Sequence, residues 1–178
     1  PSDVPAERPA VGMVEIKIPE EKNTCMAYVP ENYHPDVAHG AILWLHEPGT
    51  KKEDPVIEQW KATCEREHLI LIAPRSQDPA RWQATEVAFV RKVLEDVLAN
   101  YHVDPTRIVA HGRKAGGALA YLTAFEHRDL IRAVVPIDAA LPRRSPLKPN
   151  DPLERLAIYS FTPQGSKLSQ PIQASLAQ

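Results

Sequence analysis

Apolar and polar residues alternate over residues 13–18, with Val14, Ile16 and Ile18 set against Glu15 and Lys17, the two-residue period of a half-buried strand. A turn at 20–23 and a return over 24–29 complete a predicted antiparallel hairpin. Residues 41–46 run Ala-Ile-Leu-Trp-Leu-His, the near-continuous apolar pattern of a strand buried on both faces of a mainly parallel sheet. The period then changes. Over 55–68, Val56, Ile57, Trp60 and Cys64 fall on one helical face, and 69–73 is a short buried strand, so the two form a right-handed crossover unit.

Residues 76–83 read as a loop and 85–101 as the longest helix, with Val87, Val90, Val93, Leu94, Val97, Leu98 and Tyr101 inward. Thr85 is its expected N-cap, and Glu86 then lies too early for a capping box. A strand–turn–helix–strand unit follows over 107–142. Its parts are an apolar strand at Ile108, Val109 and Ala110, a turn over 111–117, a helix over 118–127 and a strand over 131–137. Gly112, Ala115, Gly116, Gly117 and Ala118 permit so sharp a turn, because a helix leaving a strand end at once has little room for Cβ atoms. A Pro-rich, basic loop over 138–152, a strand over 156–161 and a helix from 168 complete the pattern.

The turn resembles the nucleophile elbow of the α/β-hydrolase fold, in the branch of bacterial esterases with polyhydroxybutyrate depolymerases and feruloyl esterases. The Tyr28-Val29-Pro30-Glu31-Asn32-Tyr33 segment ahead of the strand ending in Leu45-His46, and the Tyr101 to Ile108 junction, carry the same resemblance. It implies an α/β fold: an α/β-hydrolase-like three-layer sandwich, mostly parallel, with an N-terminal antiparallel hairpin and an incomplete C-terminal part. In that family the turn reads G-x-S-x-G with a nucleophilic serine at its centre. Here it reads Gly112-Arg113-Lys114-Ala115-Gly116, with Lys114 at the nucleophile position.

The resemblance also implies an oxyanion-hole amide after His46, but the chain continues Glu47-Pro48-Gly49. Pro48 has no N–H, Glu47 adds negative charge, and the Gly49 amide is the remaining candidate donor. The family's catalytic acid follows the last strand in a G-x-x-D turn, where this chain has Thr162-Pro163-Gln164-Gly165-Ser166. The family's histidine falls after one more strand, past residue 178. A serine hydrolase needs nucleophile, base, acid and oxyanion hole together. The expectation is therefore a catalytically degenerate domain that serves as a binding or scaffolding module of a larger protein. The alternative is a working esterase or peptidase whose catalytic residues are replaced or lie outside this sequence.

The expected cleft comprises His46, Glu47, Gly49, Arg113, Lys114, Ala115 and Trp82, with Asp78, Arg81 and Trp44 beside it. Lys114 at a helix N-terminus invites a nucleophilic amine, since the dipole disfavours its charged form; the plainer alternative is an ion pair with Glu47 or extension into solvent. His46 and His111 are expected as packed, hydrogen-bonded residues. His34, His39, His68, His102 and His127 show no metal-ligand spacing. Ser76, Ser145 and Ser160 lie outside any elbow context.

Composition adds little against this picture. The 178 residues are 43% hydrophobic and 25% charged, with a formal net charge of -2, as in one ordinary globular domain. No basic stripe points to nucleic acid, no apolar run reaches membrane-spanning length, and no cofactor or metal motif is present. Cys25 and Cys64 read as buried free thiols, and their spacing leaves a disulfide between them open. Residues 1–12 read as a linker or tail and 13–178 as the domain. A sheet lacking its last strand predicts a second copy (a homodimer) or the rest of its own polypeptide as partner. No compartment follows from the residues; a soluble domain exported within a longer chain is compatible with them.

Overall fold

A computed structural model describes residues 9–50, 54–143 and 151–177. Seven strands form one sheet: β1 (Gly12–Ile16), β2 (Cys25–Val29), β3 (His39–Leu45), β4 (Leu69–Pro74), β5 (Val103–Arg113), β6 (Ala133–Ile137) and β7 (Ala157–Ile158). Among the described residues four α-helices accompany them: α1 (Asp54–Glu67), α2 (Val87–Asn100), α3 (Ala115–Glu126) and α4 (Ser169–Leu176). The sheet order is β1-β2-β4-β3-β5-β6-β7. β1 and β2 pair antiparallel, β2 joins β4 antiparallel, and every pairing from β4 through β7 is parallel.

The central strand explains the layering. Along β3, Ala41, Leu43 and Leu45 face the larger core built with α2 and α3, whereas Ile42 and Trp44 face the smaller one built with Ile57, Trp60 and Cys64 of α1. Helices thus cover both faces of one sheet, which is why its inner strands read as unbroken apolar runs. Cys25 and Cys64 are both buried and form no disulfide, and burial pushes the Cys64 thiol up to about 11.

Several boundaries differ from the sequence reading, each for a local reason. The helix after the elbow begins at Ala115 and not at 118, so the Gly116-Gly117 pair lies in its first turn. Thr85 is not the N-cap of α2, which is Glu86. A single 3-10 turn over Ala84–Glu86 precedes α2, and the Glu86 carboxylate accepts the Gln83 N–H at 2.7 Å, so Gln83 and Glu86 hold the N-cap and N3 positions of that turn. Glu86 is buried and also accepts from Asn23 Nδ2 at 2.7 Å, Ser76 Oγ at 2.9 Å and Gln77 N at 2.9 Å. It fastens the hairpin, the β4 exit and the α2 entry together, and it occupies Ser76.

Gly12 belongs to β1, one residue inside the expected tail, and Tyr101 Oη donates to the Ala10 carbonyl at 2.8 Å. Residues 1–8, Ser145 and the basic stretch 144–150 lie outside the described residues. The strand expected over 156–161 is regular only at Ala157–Ile158, but its pairing continues. The amides of Ala157, Tyr159 and Phe161 donate to the carbonyls of Arg132, Val134 and Pro136 at 2.9, 3.0 and 3.1 Å. Ile158, Tyr159 and Phe161 are exposed along this edge, and no strand pairs with the outer side of β7 among the described residues. No described helix is long and apolar enough to cross a membrane.

Two buried histidines link this core to pH. His39 and His127 both have their pKa lowered, chiefly because burial disfavours the charged ring; Arg91 adds to the effect at His127, its Nη1 lying 3.0 Å from the His127 Nδ1. Each ring is neutral in the fold and gains a proton more readily once unfolded. The stabilisation is therefore full above the unfolded pKa of about 6.5 and is lost as pH falls below it. Urea melts at pH 7.5 and 5.5 are expected to show lower stability at 5.5, and a His127→Gln variant a smaller drop; equal midpoints for the parent would contradict this.

Candidate functional site

The elbow is built by close approach. A Cβ placed on Gly116 would lie 2.1 Å from the Leu45 carbonyl oxygen, and one on Gly112 would lie 2.5 Å from the Gly116 backbone. Only hydrogen fits at either position, so the first turn of α3 rests directly on the ends of β3 and β5. Between the two glycines the chain must reverse. Lys114 does so with φ 52° and ψ −118°, a conformation that side-chain-bearing residues rarely adopt, and its amide donates to the Ile137 carbonyl at 2.9 Å.

This geometry carries the Lys114 side chain to the C-terminal edge of the sheet. Its Nζ lies 2.9 Å from the Glu47 Oε2, with both side chains partly exposed. A contact of that kind engages the ammonium form.

The loop after β3 is closed on itself. The Glu47 carbonyl accepts from Thr50 N at 3.2 Å and Thr50 Oγ at 2.8 Å, while the Gly49 N–H donates to the Pro79 carbonyl at 3.0 Å. Gly49 is exposed with φ +82°, and its amide is engaged away from any developing oxyanion, contrary to its candidacy as an oxyanion donor. His46 is buried. Its Nε2 accepts the Ser76 N–H at 3.1 Å and its Nδ1 lies 3.0 Å from the Glu47 carbonyl, so both ring nitrogens are engaged. Trp82 packs on that ring at a centroid distance of 4.6 Å and donates Nε1–H to the His46 carbonyl at 2.9 Å. His111 sits under the elbow with its Nδ1 2.8 Å from the Val135 carbonyl. Arg113 is exposed, and Asp78 and Arg81 pair with each other at 3.1 Å on the rim.

Of the expected cleft, Lys114 and Ala115 line a cavity of about 590 Å³, and Glu47 reaches Lys114 through the ion pair. His46, Gly49, Arg113 and Trp82 do not line it. The opposite wall comes from two segments that the sequence reading did not place there. One is Ala139 to Arg143 after β6; the other is α4 with Leu168, Pro171 and Ala174. The Ser175 Oγ accepts the Leu141 N–H at 2.9 Å and Ile172 is buried, so α4 is seated on the loop. The signal available for this was the run of small residues in both segments, which allows close packing but does not name a partner. No group of three metal-ligating side chains comes together among the described residues.

No protein-family model and no curated protein matches the chain. Solved structures do share its fold, which is that of the α/β-hydrolases. A thermostable esterase superposes with a TM-score of 0.62 at 16% identity over 92% of this chain and 58% of its own. A poly(3-hydroxybutyrate) depolymerase from Bordetella parapertussis gives 0.57 at 16% identity, over 73% of this chain and 53% of its own. Esterase 2 of Thermogutta terrifontis, in a form phosphorylated by paraoxon, gives 0.59 at 16% identity, covering 94% and 88%. The chain thus spans little more than half the length of the first two. At these identities the likeness is one of fold.

The strain at residue 114 is separable from its charge. Replacing Lys114 by Gly removes both the Cβ and the ion pair, whereas Lys114→Ala removes the ion pair alone. The Gly variant is expected to be the more stable of the two by about 1 kcal/mol in urea denaturation, the reverse of the usual Ala preference. Equal stabilities, or a more stable Ala variant, would mean that the elbow conformation is not strained.

Proposed function

We propose that this domain keeps the α/β-hydrolase architecture as a binding or scaffolding module and does not turn over esters or peptides. The observation that carries the reading is Lys114. It sits at the point of the elbow in the reversed backbone conformation, with its ammonium paired to Glu47 at 2.9 Å. Loss of the nucleophile alone costs on the order of 10⁶-fold in rate in a triad hydrolase. The engaged amide of Gly49 and the engaged ring nitrogens of His46 support the same conclusion, because neither that amide as an oxyanion donor nor that ring as a general base is left free.

A second reading, an esterase or peptidase, draws on one observation: the reversed backbone that presents a nucleophile is intact. Lys114 would then be the reacting group, or a hydroxyl would be supplied from elsewhere. Hydrolysis of p-nitrophenyl acetate and butyrate by the parent, Lys114→Ala and Lys114→Ser separates the two. Rates equal to buffer are expected for all three. Parent turnover that disappears in Lys114→Ala would overturn the proposal and make Lys114 catalytic, and turnover in Lys114→Ser alone would reveal a working base beside the elbow.

A further inference from the structure

The cavity beside Lys114 has a composition that points to a ligand class. Its walls are Ala115 and Ala118 of α3, Ala139 and Leu141 of the loop, and Pro171 and Ala174 of α4, small or apolar on every side. Its volume of about 590 Å³ falls in the range of small-molecule sites. Among the described residues that line it, two are charged, Lys114 and Arg143, and both are cationic. Glu47 neutralises Lys114 at 2.9 Å. Arg143 forms no ion pair among the described residues, so the described lining carries one unbalanced positive charge. An apolar chamber with a single surplus cation at its edge complements a monoanion with a short hydrocarbon chain.

We propose that this cavity binds a medium-chain monocarboxylate without reaction, the carboxylate at Arg143 and Lys114 and the chain among Ala118, Leu141 and Ala174. The inference rests on the non-hydrolytic reading above and supplies its ligand. A guanidinium offers two parallel N–H donors that match a carboxylate, and an ammonium already paired with one carboxylate still has further N–H donors for a second. A neutral alcohol of equal length would gain the apolar contacts and forgo the charged ones. A short acid such as acetate would do the opposite.

The test is calorimetric titration of the 178-residue chain with octanoate, octanol and acetate. Octanoate is expected to bind at least tenfold more tightly than either of the others, tenfold corresponding to about 1.4 kcal/mol. Arg143→Gln should weaken octanoate about tenfold and leave octanol unchanged, with Arg143→Lys recovering part of the loss. Ala174→Phe, which fills the chamber from an exposed position, should weaken both long-chain probes. Octanol binding as tightly as octanoate, or octanoate binding indifferent to both Arg143→Gln and Ala174→Phe, would overturn the proposal. A parallel assay with p-nitrophenyl octanoate keeps the two readings apart. Turnover there overturns the non-hydrolytic reading, whereas absent octanoate binding without turnover overturns only the ligand assignment.

Discussion

The contact between the first turn of α3 and the ends of β3 and β5 is the constraint on which the rest of this structure depends. With no side chain at Gly112 or Gly116, backbone meets backbone, and a Cβ at Gly116 would sit 2.1 Å from the Leu45 oxygen. That approach fixes the angle at which α3 leaves the sheet, and it leaves the intervening residue one way to turn. Lys114 accordingly carries a φ of 52° although a glycine would accept it without cost. The same approach brings α3 across the sheet, so that Leu119, Ala120, Tyr121 and Ala124 enter the main core. Position 114 is therefore displayed at the strand ends whatever its side chain, and the architecture that presents a reactive group persists independently of the group presented.

What surrounds the displayed residue follows from charge and from backbone donors. A cation at the elbow draws the Glu47 carboxylate to 2.9 Å, and the loop that carries Glu47 is closed by Thr50 and tied to Pro79 through the Gly49 amide. Behind that loop the buried Glu86 carboxylate accepts from Asn23, Ser76, Gln77 and Gln83. A carboxylate can be buried when several donors satisfy it, and this one holds Ser76, whose amide in turn engages the Nε2 of His46. Two residues with catalytic potential by type, a serine and a histidine, thus belong to one structural network. Their donors and acceptors are committed to holding the loops beside the elbow in place.

The sheet and the elbow were legible in the sequence because both depend on local pattern. Short unbroken apolar runs such as 41–45, rich in branched residues and bounded by loops, fit inner strands, and Gly112 with Gly116 around a tight turn states a specific steric requirement. Thr85 was misread because capping was judged from residue type, whereas the 3-10 turn ahead of α2 places Glu86 where its carboxylate can reach the Gln83 amide. Gly49 was misread because the partner of its amide, Pro79, is remote in sequence and no pattern in the loop announces it. The wall formed by α4 was legible as a helix and not as a wall. Its buried residue Ile172 and the hydrogen bond that its Ser175 accepts from the Leu141 N–H depend on a loop about thirty residues earlier.

That wall changes what the elbow can mean. A strand-end residue open to solvent would simply extend its charge into water, and Lys114 would then be a surface lysine on an unusual turn. With α4 seated over the loop after β6, the ground beside the exposed Lys114 becomes a half-open groove lined by alanine, leucine and proline, and the two cations border an apolar surface. Electrostatic attraction to an anion strengthens where water is displaced from one side, and small side chains leave room that a bulky core would have filled. Selective binding in such a place requires no bond-making step. It requires only that the groove and the unbalanced charge be held at a fixed separation, and the rigid contact of α3 on β3 and β5 anchors the Lys114 side of it.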